Sequence, residues 1–116
     1  MIRRTEMKIT VFHNDFEGSF TRVAVVTAPM TNVNAALEYA YRYTNNVMGS
    51  WSMKIGGDVP HDGEVEVTAP LHVTKDGRTM GLRSSMMGDR FYVEGDEAYE
   101  VAMCGFEVLP TLEDVA

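Results

Sequence analysis

Only one stretch of this chain carries the apolar period of a helix, and it lies between segments that carry the two-residue period of strands. Thr31 or Asn32 can cap it, and Val33, Leu37, Ala40, Tyr41 and Thr44 recur at helical spacing. Glu38 and Arg42 form an i,i+4 pair on its polar side. Tyr39 and Tyr43 lie about a turn apart on another face, so the helix is expected to be flanked on two sides. The pattern ends near Asn45 and Asn46. A chain with one amphipathic helix cannot build a bundle, and its apolar stripe must be buried against a sheet.

The strand signals supply that sheet. Residues 8–12 alternate polar and apolar side chains. The Asn, Asp and Gly of residues 13–19 then read as a hairpin loop. Residues 20–27 are β-branched and apolar, end before Pro29, and are expected to return antiparallel to the first strand. Residues 64–68 and 71–74 are shorter candidates separated by Ala69 and Pro70. Asp76-Gly77 is a tight-turn signal that would fold 79–83 back on 71–74. Residues 90–94 and 99–103 flank a further turn. The expected class is α+β, with one main helix packed on a largely antiparallel, twisted sheet of about five to six strands. Trp51 falls in a stretch of mixed turn formers and bulky apolar residues, where it reads either as a plug at the end of the core or as an exposed anchor.

The 116 residues fit one domain, with residues 1–6 and 111–116 expected to fray. One cysteine, Cys104, excludes an internal disulfide and suits a reducing compartment. No apolar run reaches the roughly 18 residues of a membrane span, and the first residues lack a signal-peptide pattern, so the expected location is cytoplasmic with no membrane partner.

Charge is segregated along the chain. The net charge is −7, yet residues 91–116 hold seven acids (Glu94, Asp96, Glu97, Glu100, Glu107, Glu113 and Asp114) and no Lys or Arg. Such a block repels phosphate backbones, which disfavours nucleic acid as a ligand; Arg78, Arg83 and Arg90 make at most a small basic spot. The block serves either as a solvated face or as a surface for a basic protein partner, through Glu94, Asp96, Glu97, Glu100 and Glu107. Nine methionines in so short a chain supply adaptable apolar surface. If Met86 and Met87 protrude together with Trp51, they form an apolar anchor for a partner or for a second copy of the chain.

Catalytic patterns are absent. His13, His61 and His72 have no metal-ligand spacing, and Asp58, His61, Asp62 and Glu64 do not match a cation loop, so neither metal nor cofactor is expected. Cys104 sits in an apolar context that reads as an interior strand rather than as a nucleophile's. No phosphate loop, nucleophile elbow or dinucleotide fingerprint occurs. The remaining candidate is residues 83–89. Arg83 offers a bidentate fork, Ser84, Ser85 and Gly88 offer donors, and Asp89 closes the turn, so the segment reads either as an anion or ligand loop or as a purely structural turn.

The order of these segments resembles the YodL-like domain and related small proteins of phages and plasmids. The resemblance rests on residues 81–89 (Gly-Leu-Arg-Ser-Ser-Met-Met-Gly-Asp), Tyr92-Val93, Tyr99-Glu100-Val101 and 105–109 (Gly-Phe-Glu-Val-Leu), with Leu37-Glu38-Tyr39-Ala40-Tyr41 as the family's helix. It covers roughly residues 36–110. Met86 stands where the family has a second Ser, and Cys104 where an aromatic precedes Gly105. The resemblance implies a mobile-element protein, plausibly engaged with host defence, and carries no chemistry. Together these features describe a non-enzymatic protein-interaction module with a host or element-encoded partner; the alternative is a small-molecule, nucleotide or anion binder, or a minor enzyme, using residues 83–89.

Overall fold

The computed structural model describes residues 6–46, 49–53, 55–56, 65–95, 97–103 and 105–109. It is an α+β fold, with the helix α1 (Val33–Tyr43) packed on a six-stranded antiparallel sheet. The sheet is built from β1 (Met7–Asn14), β2 (Phe20–Ala28), β5 (Val65–Val67), β8 (Arg90–Val93), β9 (Ala98–Ala102) and β10 (Gly105–Val108). Two small hairpins stand outside it: β3 (Gly49–Ser50) with β4 (Ile55–Gly56), and β6 (His72–Val73) with β7 (Thr79–Met80). Among the described residues no helix is long and apolar enough to cross a membrane.

The strand order is β10-β9-β8-β1-β2-β5. β1 is central because its alternation is the cleanest in the chain: Met7, Ile9, Val11 and His13 face the helix side and are buried, with Lys8, Thr10, Phe12 and Asn14 on the other face. In β2 the two-residue period breaks at Val23 and Ala24, both buried, because the register slips there. Val11 pairs with Ala24 but Phe12 pairs with Arg22, leaving Val23 as the extra residue of a bulge.

The helix starts where Asn32 Oδ1 accepts the N–H of Ala35 at 3.0 Å, so Asn32 rather than Thr31 is the cap. It buries Ala36, Leu37 and Ala40, a narrower stripe than the spacing predicts; Val33 and Tyr41 are only half-buried. Small residues at 36 and 40 let the helix sit close over β1 and β2. At its end Thr44 turns inward, completely buried, with its hydroxyl donating to the carbonyl of Ala40 at 2.7 Å.

Two differences from the sequence reading, and one alternative it left open, bear on function. The hairpin of residues 71–83 does not extend the main sheet; it forms a separate pair of two-residue strands. β10 was not foreseen, because four residues starting with glycine and carrying one acid give little periodic signal. Of the two readings open for Trp51, the core plug holds and the exposed anchor does not. Trp51 is wholly buried, its ring meets that of His13 edge-on at 6.1 Å, and its indole N–H donates to the carbonyl of Arg83 at 2.8 Å. An indole can be buried this completely only when its N–H finds an acceptor, which the 81–89 segment provides.

Candidate functional site

Residues 81–89 connect β7 to β8 without regular structure, so their backbone groups must find partners elsewhere. Side chains from distant parts of the chain supply most of them. The N–H of Leu82 donates to Ser52 Oγ at 2.7 Å and its carbonyl accepts from Asn46 Nδ2 at 3.1 Å. Ser84 Oγ accepts the N–H of Asn46, and the N–H of Ser85 donates to the carbonyl of Thr44 at 2.8 Å. Gly88 donates to Val101, and Asp89 accepts from Val101 N–H at 2.8 Å. The loop is stitched to the helix end, to the 49–53 segment, to β1 and to β9 at once.

Asp89 organises the centre of this buckle. It is completely buried, and its carboxylate accepts from Asn14 N–H (2.8 Å), from Met86 N–H (2.7 Å) and from both terminal nitrogens of Arg83 (2.7 Å each). Those Arg83 nitrogens also donate to the carbonyls of Ser84 and Asn14, both at 2.9 Å. The four N–H groups of the two terminal nitrogens are therefore spent inside the protein, so the fork that would grip an anion bidentately is already occupied. Gly88 (φ +99°) holds a left-handed turn, and a Cβ there would meet the Phe16 ring at 3.1 Å.

His13 meets Ser85, 72 residues on in sequence, and Asp89 just beyond it. They do not form a nucleophilic relay. His13 Nε2 faces both Ser85 Oγ (3.1 Å) and Asp89 Oδ2 (3.8 Å), whereas a relay needs the carboxylate on the opposite ring nitrogen. The hydroxyl chain fixes the proton positions. Thr44 Oγ1 gives its hydrogen to Ala40, and Ser85 Oγ, 2.6 Å from Thr44 Oγ1, must donate to it. Ser85 then has only an acceptor site left, so His13 donates from Nε2 and cannot take the serine's proton. Burial lowers the imidazole pKa to about 4; Asp89 opposes that shift and the Arg83 charge reinforces it. His13 is thus a neutral donor at pH 7.

The acids lie along the β8–β9–β10 side of the sheet. The β8–β9 turn carries Glu94 and Glu97, both exposed, and Glu100 and Glu107 lie directly opposite each other across β9 and β10. Glu100 also pairs in register with Arg90 on β8, at an Nε–Oε1 distance of 3.7 Å. The Arg90 guanidinium lies 4.2 Å from the centre of the Phe20 ring, which draws it toward β1 and β2. Glu107 is exposed and among the described residues makes no ion pair. Like charges directly opposite in a sheet are destabilising, so this pair is not explained by the stability of the fold.

The predicted site residues therefore divide. Arg83, Ser84, Ser85, Gly88 and Asp89 do come together, but with each other and with the fold. A cavity of about 350 Å³ beside the loop is lined by only one of them, Arg83, together with His13, Val23, Pro70 and Leu82 among others. Glu94 and Glu97 sit at the β8–β9 turn and Glu100 and Glu107 on the strands level with Arg90, whereas Asp96 lies outside the described residues, as do Asp58, His61, Asp62, Glu64 and Cys104. Met86 and Met87 are exposed at the turn, 44% and 54%, separated from the buried Trp51. Phe16, with φ 60° and 59% exposed, lies against the same turn and was not singled out from the sequence. Comparison with known proteins finds no family model, no curated protein and no solved structure that matches the chain.

Proposed function

We propose that the chain is a non-catalytic interaction module whose acidic hairpin end engages a basic surface of a protein partner. The observation that carries this reading is the placement of Glu107 directly opposite Glu100 on β9 and β10, with Glu94 and Glu97 exposed at the neighbouring β8–β9 turn and no Lys or Arg after Arg90. Opposed carboxylates cost stability on their own and become favourable when a cationic surface covers them. The competing reading, a ligand cradle at residues 83–89, is disfavoured because the groups it would use already bond within the fold. The resemblance to the YodL-like domain supports a phage or plasmid setting, in which the partner would be a host-defence or element-encoded protein with a basic, nucleic-acid-binding face.

The test is retention of proteins from lysate of the cell that encodes the chain, comparing the native protein with a variant carrying Glu94→Lys, Glu97→Lys and Glu107→Lys. The reading expects a stoichiometric protein, rich in Lys and Arg, that is retained at low salt by the native chain and lost with the variant. Equal retention by both would overturn it.

A further inference from the structure

The sheet ends on one side at β10, and the phase of its backbone decides what that margin offers. In an antiparallel strand the N–H and C=O groups of alternate residues point to opposite neighbours. Val101 donates to Asp89 and accepts from Gly88, both on the β8 side. Glu100 and Ala102 consequently turn their backbone groups toward β10, where they face Glu107 and Gly105. Leu109 N–H, donating to Ala98 at 2.8 Å, keeps the same phase. The backbone groups of Phe106 and Val108 must point the other way, along the outer margin, and among the described residues no strand lies beyond them.

The two faces of this margin differ in chemistry. On the helix side, a cavity of about 280 Å³ opens between α1 and the β9–β10 hairpin, lined by Glu38, Tyr41, Val101, Met103 and Phe106 among others. Met103 stands 85% exposed at this end of the hairpin, and Val108 is 53% exposed. The opposite face carries Glu107 beside Glu100.

Resting on the interaction reading above, we propose that this margin takes an extended segment of the partner as a seventh strand beside β10. Its backbone bonds to Phe106 and Val108, its apolar side chains face the helix side and enter the cavity, and its alternate residues are Lys or Arg facing Glu107. A second copy of the chain is the wrong occupant. The two-fold register that pairs Phe106 with Val108 of the other copy sets Glu107 against Glu107, adding a like-charge contact to a face that already holds one. β5, at the opposite margin, has three residues and offers a shorter template.

The experiment uses a capped six-residue synthetic peptide of alternating Lys and Val, with an alternating Glu and Val peptide as control. Binding to the full chain is followed by amide NMR and hydrogen exchange. Expected are slower exchange at Phe106 and Val108, affinity that falls with salt, and no binding of the control. Val108→Pro removes an outward N–H while leaving the bonds to β9 intact, since proline is tolerated on an edge strand facing outward. This variant should keep its thermal midpoint and bind the Lys-Val peptide about tenfold more weakly, the loss of one or two hydrogen bonds. Glu107→Lys should also weaken binding. Unchanged affinity in Val108→Pro overturns strand addition while leaving the acidic reading standing. Unchanged affinity in Glu107→Lys overturns the acidic reading itself, and failure of the Lys-Val peptide to bind the native chain overturns the proposal.

Discussion

Replacing Asp89 with Asn keeps the side chain's shape and removes its charge, which makes it the sharpest probe of the buckle. The carboxylate accepts four hydrogen bonds, two from backbone N–H groups and two from Arg83. An amide retains one acceptor oxygen and directs its own NH2 at donors, so Arg83, 37% exposed, keeps a cation without a counter-charge while Asn14 or Met86 loses an acceptor. Breaking one partner of a buried pair costs about 3–5 kcal/mol, and a domain of this size has about 5–15 kcal/mol in total. We expect Asp89→Asn to lose about 3 kcal/mol. With a urea slope of about 1.5 kcal/mol/M, its midpoint falls by about 2 M. Urea unfolding followed by far-UV circular dichroism and by Trp51 fluorescence measures this, and Trp51 reports the buckle directly because its N–H bonds to Arg83. A cycle with Arg83→Met tests the pairing: the double variant should lose less than the sum of the single losses, by about 1–3 kcal/mol. A single-variant loss below about 1 kcal/mol would refute the structural reading of this loop.

The remaining expectations are narrower. His13 is neutral in the fold, with its pKa at about 4 against 6.5 unfolded, so the unfolded chain binds the extra proton between those values. Stability is then full above pH 6.5 and falls as pH drops toward 4. The His13 contribution lost by pH 5 is about 2 kcal/mol. His13→Gln should flatten that slope between pH 7 and 5 in urea titrations, and an unchanged slope would contradict the assignment. Gly88→Ala should cost about 1–2 kcal/mol, through positive φ and the Phe16 contact, as a lower thermal midpoint; a neutral result would show that Phe16 moves aside freely. Asn32→Ala should cost about 1 kcal/mol through loss of the helix cap, read in the same assay, and an unchanged midpoint would count against the cap.

What could be read along the chain was whatever depended on neighbours in sequence. The helix of residues 33–43 and the alternation of β1 are local patterns, as are the turns at Asp76-Gly77 and before β9, so the α+β class followed from them. The hairpin β6–β7 formed as its turn signal implied, but only packing decides whether a hairpin joins the main sheet, and this one did not. The segment 83–89 stood out by residue type, and the sequence left its two readings open. Settling its geometry required Asn14, Thr44 and Asn46, between 38 and 75 residues away, whose bonds no spacing rule reveals. Trp51 was ambiguous for the same reason, since its acceptor is a carbonyl 32 residues on. The acids were visible as a block, but the opposition of Glu100 and Glu107 exists only because β10 pairs with β9.

The proposed division of roles is that residues 83–89 hold the fold together while the β8–β10 margin meets a partner. Amide chemical-shift mapping on the isotope-labelled chain, titrated with the protein retained from lysate, tests this most directly. Shifts are expected at residues 94–109, strongest at Phe106, Glu107 and Val108, with the 83–89 amides nearly unmoved. Shifts concentrated at residues 83–89, with a silent hairpin, would contradict it.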